Sequence, residues 1–262
     1  MGWGRQVRLK TDEEVELIRK SSLLVGSTLA RVAEWIAPGV TTLRLDEIAE
    51  EFIRDHGAAP GFKGYGGFPN TLCISVNDAV VHGIPSQRPL ESGDLVSVDC
   101  GVLMNGFYGD SAFTFGVGEV SEEDSHLLRV TRECLDLAVA EAVVGKRIGD
   151  IGFACQSHAE RNGFTVVRDL VGHGLGEQLH EWPEVPNFGR RGTGVQLLNG
   201  MVLAIEPMIN AGRKEVRQLS DGWTILTKDG MKSAHFEHDV VVRSGQADVL
   251  SSFDEIDEVL NK

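Results

Sequence analysis

Two stretches of this chain, 106 to 107 residues apart, carry the same punctuation. Val15, Ile18, Val25, Leu29, Val32 and Ile36 recur at helical spacing behind the capping-box sequence Thr11-Asp-Glu-Glu14 and stop at Pro38-Gly39. Thr42 can cap a shorter helix carrying Leu45, Ile48, Ala49 and Phe52, which ends at Gly57. The second stretch repeats the plan. Ser121-Glu-Glu-Asp124 opens a long run to about Val144, stopped at Gly145, and a shorter one spans roughly Asp150 to Arg161 before Asn162-Gly163. Both glycine stops are offset by 106 residues (39 to 145, 57 to 163). The echo continues into strands: Leu90-Glu-Ser-Gly-Asp-Leu-Val-Ser-Val-Asp99 parallels Leu197-Leu-Asn-Gly-Met-Val-Leu-Ala-Ile-Glu206. Helix, helix, strand is a common order. The coincidence of apolar pattern, glycine and acid is what favours a duplicated unit. Duplication predicts an α+β fold with halves at about 1–118 and 119–262, acting as one catalytic domain. It puts Asp99 and Glu206 at equivalent positions about a pseudo-twofold axis, facing one site.

The second constraint is local. Leu95–Met104 and Phe107–Phe115 flank Asn105-Gly106, a strong two-residue hairpin signal. With that loop, paired residue numbers sum to 211, so Asp110 opposes Gly101 and lies one diagonal step from Asp99, on the same face. Val96 and Val98 point to the other side. Two carboxylates so close repel each other and need a proton or a cation between them, which suggests a metal site. Other strand candidates are Leu72–Asn77, Val166–Val167, Trp223–Thr227 and Glu237–Arg243. The Gly- and Pro-rich loops Gly61–Pro69 and Trp182–Gly194 read as pocket rims. Trp35, Phe113 and Phe115 read as core. The acidic tail Phe253–Lys262 reads as a short surface helix.

Composition narrows the setting. A net charge of −14 argues against a broad nucleic-acid surface, and the absence of an 18-residue apolar run argues against a membrane span. Met1–Arg5 leads straight into a charged helix with no secretory apolar segment. Cys73, Cys100, Cys134 and Cys155 stand far apart, as reduced thiols of a cytoplasmic protein do. No long apolar stripe is left over, so a monomer is expected.

Histidines supply the remaining donors. Gly172-His173-Gly-Leu-Gly-Glu-Gln-Leu179-His180 is a glycine-rich loop with two of them; one can ligate while the other touches substrate. Val81-His82-Gly-Ile-Pro85 puts one in a tight turn, and Ser233-Ala-His-Phe-Glu237-His238 adds a late acid. Carboxylate and imidazole together suit Mn, Fe, Co, Ni or Zn. His56, His126, His158 and His238 read as ordinary structural histidines. No Ser sits in a G-x-S-x-G elbow, and Cys73 and Cys100 lie in apolar strands, so a serine or cysteine nucleophile has little support.

Taken in order, Cys73-Ile-Ser-Val-Asn77, Val81–Pro85, Val98-Asp-Cys-Gly101, Gly109-Asp-Ser111, Gly172–His180, Ile205-Glu-Pro207 and Phe236-Glu-His238 make the chain resemble the type I methionine aminopeptidases over nearly its whole length. The resemblance implies the pita-bread fold, a duplicated α/β unit around a central antiparallel sheet. It implies two divalent ions held by Asp99, Asp110, His173, Glu206 and Glu237, with Asp110 and Glu237 bridging. Glu206 would be the general base for a metal-activated water. His82 and His180 would face substrate, and Tyr65, Phe68, Cys73 and Trp223 would form the methionine pocket. The implied reaction removes the N-terminal methionine of nascent polypeptides, favouring a small second residue. The family usually has an aromatic before the second loop histidine; this chain has Leu179, which predicts altered affinity or side-chain tolerance. The resemblance also allows a monovalent-cation site near Asn77 and Ser233 and a transient ribosome contact. One rival is a proline-specific dipeptidase of the same fold. Those relatives usually carry an extra N-terminal domain, whereas this chain starts at the first helix. A second rival is a binding protein that has lost its metals; the presence of all five ligand types speaks against it.

Overall fold

The computed structural model describes residues 6–261. The reading of Met1–Arg5, and the last residue of the acidic tail, Lys262, lie outside them. Helix α1 (Asp12–Ala33) begins at the expected capping box: Thr11 Oγ1 accepts from Glu14 N, and Glu14 accepts from Thr11 N. Helix α2 (Thr42–Asp55) is capped by Thr41, one residue earlier than expected, because the Thr42 hydroxyl is engaged with the backbone of Ser86. Strands β1 (Ala59–Pro60), β2 (Leu72–Val76), β3 (Ala79–Val81), β4 (Leu95–Met104) and β5 (Phe107–Gly116) complete the first half.

Helix α3 (Glu122–Ala140) opens the second half and stops short of Val144. The backbone at 143–144 leaves the helical path to bridge Arg243. Helix α4 (Ile148–Arg161) starts two residues before Asp150, whose carboxylate accepts from Arg147 N as part of the first turn. Then follow β6 (Thr165–Val166), β7 (Gly172–Gly174), β8 (Glu181–Val185), β9 (Val202–Ile205), β10 (Met208–Asn210), β11 (Val216–Gln218), β12 (Ile225–Thr227), β13 (Ser233–His235), β14 (His238–Val241), β15 (Asp248–Val249) and α5 (Asp254–Leu260).

The echo is visible in backbone conformation. Gly39 and Gly145, Gly57 and Gly163, and Gly93 and Gly200 are three pairs at the repeat offset, and all six have positive φ. Helix starts Thr42 and Ile148, and strand starts Ala59 and Thr165, keep the 106-residue offset. The architecture is therefore α+β with a duplicated helix-helix-sheet unit, and every named strand pairing is antiparallel.

The β4–β5 hairpin has the predicted register, Asp99 against Ala112 and Gly101 against Asp110. Asn105 (φ 54°) and Gly106 (φ 82°) both take the left-handed conformation that this turn requires. The hairpin then crosses to the second half. Thr114 Oγ1 donates to His235 O (2.6 Å) and accepts from His235 N (2.8 Å). Ser111 Oγ donates to Glu237 O (2.6 Å), and Glu237 N donates to Ala112 O (2.9 Å). These bonds close a seam between β5 and the segment Ser233–Asp239.

Two expectations need correction. Trp35 is not core: it is 40 % exposed just beyond α1, with Arg31 and Arg44 guanidinium groups 5.9 and 5.7 Å from its ring. The tail helix is not merely superficial: Phe253 and Ile256 are buried, and Phe253 packs edge-on to Phe113 and stacks on His238. No helix among the described residues is long and apolar enough to cross a membrane.

Candidate functional site

One cavity of about 300 Å³ opens where the two halves meet, with Asp99, Asp110, His173, Glu206 and Glu237 in its wall together with His82 and His180. All five predicted ligands are thus brought to one place. Strand alternation puts Asp99 and Asp110 there, while Val96, Val98, Cys100 and Val102 fill the core behind. Glu206 leaves the end of β9, and Glu237 occupies the break between β13 and β14. Ligand atoms of Asp110, His173 and Glu237 lie within 4.8 Å of one another.

Glycine makes the His173 position attainable. A Cβ on Gly172 would sit 2.4 Å from Ala204 O, and one on Gly174 2.7 Å from Trp182 O, so β7 fits between β9 and β8 only with glycine on both sides of His173. His173 Nδ1 then lies 2.9 Å from Gly174 O. A carbonyl only accepts, so Nδ1 carries the proton and Nε2 presents its lone pair. That lone pair faces Glu206 Oε1 at 3.6 Å and Asp110 Oδ2 at 3.9 Å. Three acceptors converge there, which is the geometry of a cation site.

The electrostatics agree. Burial pushes Asp99 up to about 7, and burial with neighbouring carboxylates pushes Asp110, Glu206 and Glu237 well above the ordinary range. Asp99 Oδ1, Asp110 Oδ1 and Glu237 Oε1 are buried without a hydrogen-bond partner. Burial also drives His173 down to about 4 and His180 to about 3, keeping both neutral and able to donate a lone pair or a single N–H. Among the described residues, no Lys or Arg lines the cavity. Uncompensated acids, a neutral imidazole and orphaned oxygens fit divalent cations.

The apolar end of the cavity is built by Phe62, Tyr65, Phe68, Cys73, Leu179 and Trp223. Phe68 meets Trp223 edge-on at 5.1 Å, and Tyr65 OH lies 2.7 Å from His180 Nδ1. The His180 ring packs against His173 at 4.3 Å. Leu179, 2 % exposed, is in the wall. His82 enters from a residue with φ 58°, and a Cβ on Gly83 would collide with Ile74 O at 2.1 Å. Of the two expected rims, Gly61–Pro69 lines the cavity. The Trp182–Gly194 loop contributes only Glu184 and otherwise braces α4, where Phe188 O and Pro186 O lie against Gly152.

Two residues were not singled out from the sequence. His235 is 1 % exposed, has no hydrogen-bond partner on either ring nitrogen, and places Nε2 3.8 Å from Glu206 Oε2. Asp239 is fully buried behind Asp110, accepting from Asp110 N (2.7 Å) and Ser22 Oγ (2.6 Å). Their signal in the sequence was only a polar residue at an inward strand position. All four cysteines are free and buried, and burial holds the Cys73 thiol well above its usual pKa.

Similarity to known proteins bears on the same residues. The chain is 52% identical to methionine aminopeptidase of Clostridium perfringens over 93% of its length and 98% of that protein. The crystal structure of methionine aminopeptidase from Thermotoga maritima superposes with a TM-score of 0.93 at 43% identity, covering 94% of this chain and 100% of that one. Prolidase from Pyrococcus furiosus shares the fold at 24% identity and a TM-score of 0.76, with this chain covering 65% of it. The pita-bread fold follows from these superpositions. The pattern of metallopeptidase family M24 matches residues 16–244, a span that takes in Asp99, Asp110, His173, Glu206 and Glu237 of the cavity wall, and the chain belongs to that family.

Proposed function

We propose that this chain, acting as one catalytic domain, removes the N-terminal methionine from nascent polypeptides and peptides, with preference for a small second residue. The observation that carries this reading is the composition of one cavity: orphaned carboxylate oxygens and the His173 imidazole at one end, Phe, Tyr, Cys, Leu and Trp side chains at the other. At about 300 Å³ its size suits one side chain. The acidic end suits a cationic α-amine, which explains selection of a chain terminus. The similarity to methionine aminopeptidases supports the choice of side chain.

Asp99, Asp110, His173, Glu206 and Glu237 would hold two divalent ions drawn from Mn, Fe, Co, Ni and Zn. When bound, these ions supply an activated water and a Lewis acid for the scissile carbonyl. Glu206 accepts the proton of the attacking water and returns it to the leaving amine. The Tyr65 hydroxyl meets His180 Nδ1 at 2.7 Å; in the tautomer this reading uses, the hydroxyl donates and the ring proton sits on Nε2, where it can steady the developing oxyanion. His82 contacts the amide nitrogen or the residue beyond it. Tyr65, Phe68, Cys73 and Trp223 hold the methionine side chain, with Leu179 beside them. A monovalent cation, if one binds, is expected beside Asn77 and Ser233, whose backbones meet where Ser233 N donates to Asn77 O at 2.9 Å. The setting we expect for this function is a cytoplasmic monomer with a transient ribosome contact.

The test is methionine release from Met-Ala-Ser and Met-Leu-Ser by chelator-stripped protein given Mn²⁺, Co²⁺ or Fe²⁺. Release from Met-Ala-Ser in preference to Met-Leu-Ser is expected. Release from neither under any of the three metals would defeat the proposal. Cleavage confined to X-Pro substrates would select the dipeptidase reading.

A further inference from the structure

Glu206 is flanked on both oxygens. Its Oε1 faces His173 Nε2 at 3.6 Å, and its Oε2 faces His235 Nε2 at 3.8 Å. His235 is held rigidly from behind. Its backbone N–H and carbonyl are both tied to Thr114 Oγ1 across the seam, and its strand pairs with β10 so that it opposes Met208, a cavity residue. The imidazole is 1 % exposed, and neither nitrogen has a hydrogen-bond partner. A buried imidazole with two idle nitrogens is costly unless a partner comes within reach. The gap to Glu206 is about 1 Å longer than a usual N–H···O distance, which a small rotation of the carboxylate closes.

Resting on the reading of Glu206 as the proton-carrying acid, we propose that His235 is a positioning residue that donates Nε2–H to Glu206 Oε2 and thereby fixes the direction of Oε1. A carboxylate that both ligates and accepts a proton must keep its two oxygens distinct. His173 cannot enforce that distinction: its own Nδ1 proton is committed to Gly174 O, and its Nε2 has no proton to give. His235 can, because the side of Glu206 it approaches carries the other oxygen. Outer donors of this kind typically change metal affinity or activity by roughly 10–100-fold when removed.

The experiment uses full-length protein as wild type, His235→Gln, which keeps an N–H donor near the Nε2 position, and His235→Leu, which does not. Manganese-loaded enzyme is assayed on Met-Ala-Ser, and Co²⁺ is titrated calorimetrically into chelator-stripped protein. His235→Leu should lose roughly 10–100-fold in kcat with KM within about twofold, and should bind Co²⁺ about tenfold more weakly. His235→Gln should stay within about threefold of wild type in both measurements. If His235→Leu matches wild type, the proposal fails. It fails equally if Gln and Leu lose the same amount, since bulk rather than a donor would then matter. Should His235→Leu not fold, as judged by circular dichroism, His235→Met takes its place under the same criteria. A wild type that neither binds Co²⁺ nor releases methionine overturns the underlying reading of the site instead, and that result precedes any variant.

Discussion

Asp110 Oδ2 and His173 Nε2 stand 3.9 Å apart although one belongs to the first half of the chain and the other to the second. The pair lies on strands from different sheets, so the contact reports how the halves are docked. Asp110→Asn should abolish metal-dependent turnover, by at least about 10²-fold, since one of the charges proposed to hold the metal is lost. The same change removes a buried like-charge repulsion, so the chelator-treated variant should melt higher than wild type at pH 8. Turnover near wild type would remove Asp110 from the site; a lower melting temperature would contradict the electrostatic reading.

Metal removal should make stability fall with pH in a defined window. Asp99 and Asp239 are pushed up to about 7, and Asp110, Glu206 and Glu237 well above the ordinary range, all chiefly by burial. A carboxyl raised in this way stabilises the fold while protonated. That contribution is present below its unfolded pKa, about 4, and is lost as pH rises through the folded value. The imidazoles have the opposite sign. His173 at about 4, and His180 and His235 at about 3, oppose folding only where the unfolded chain would be protonated, below about pH 6.5. Above about pH 7 the carboxyls held well above the ordinary range act alone. Melting of chelator-treated protein should drop across that window, and excess Mn²⁺ should abolish the drop. A flat profile without metal would be incompatible with the buried acids.

Gly172→Ala tests the placement of His173. Its Cβ would lie 2.4 Å from Ala204 O and 3.2 Å from Glu206 Cγ. The strain should cost about 1–3 kcal/mol of stability and weaken Co²⁺ binding, because β7 must retreat from β9 and carry His173 with it. Calorimetric titration with wild-type affinity would show that β7 accommodates the methyl without moving the ligand.

Tyr65→Phe removes the hydroxyl that sits 2.7 Å from His180 Nδ1. The ring stays in the pocket wall while the tautomer of His180 loses its anchor. A loss of about 2–10-fold in kcat for Met-Ala-Ser is expected, the worth of one ordinary hydrogen bond. A change confined to KM would instead place Tyr65 in methionine binding alone.

Much of this site was legible because its constraints are local. Asn105-Gly106 sets the hairpin register, and register alone decides that Asp99 and Asp110 share a face. Glycine stops at matching offsets paired Asp99 with Glu206. The parts that were not legible depend on contacts between distant segments. Nothing near His235 in sequence reveals that Thr114 pins it or that Glu206 ends beside it. Asp239 reads as an ordinary strand acid until Asp110 N and Ser22 Oγ are seen to donate to it. Trp35 kept an apolar identity on paper but lies between two arginines at the surface. The end of α3 depends on a bridge from 143 to 243 that helical periodicity cannot register.

The seam along β5 has a further consequence. Asp99 and Asp110 come from one copy of the repeated unit, and His173, Glu206 and Glu237 from the other. Neither copy alone owns a complete ligand set. The short stretch between Gly116 and Glu122 is therefore a tether that keeps two partial sites at high mutual concentration. A cation seated among all five side chains would add a removable link to the seam that already joins the copies, so a chain nicked within that stretch should dissociate more readily once a chelator has taken the metal.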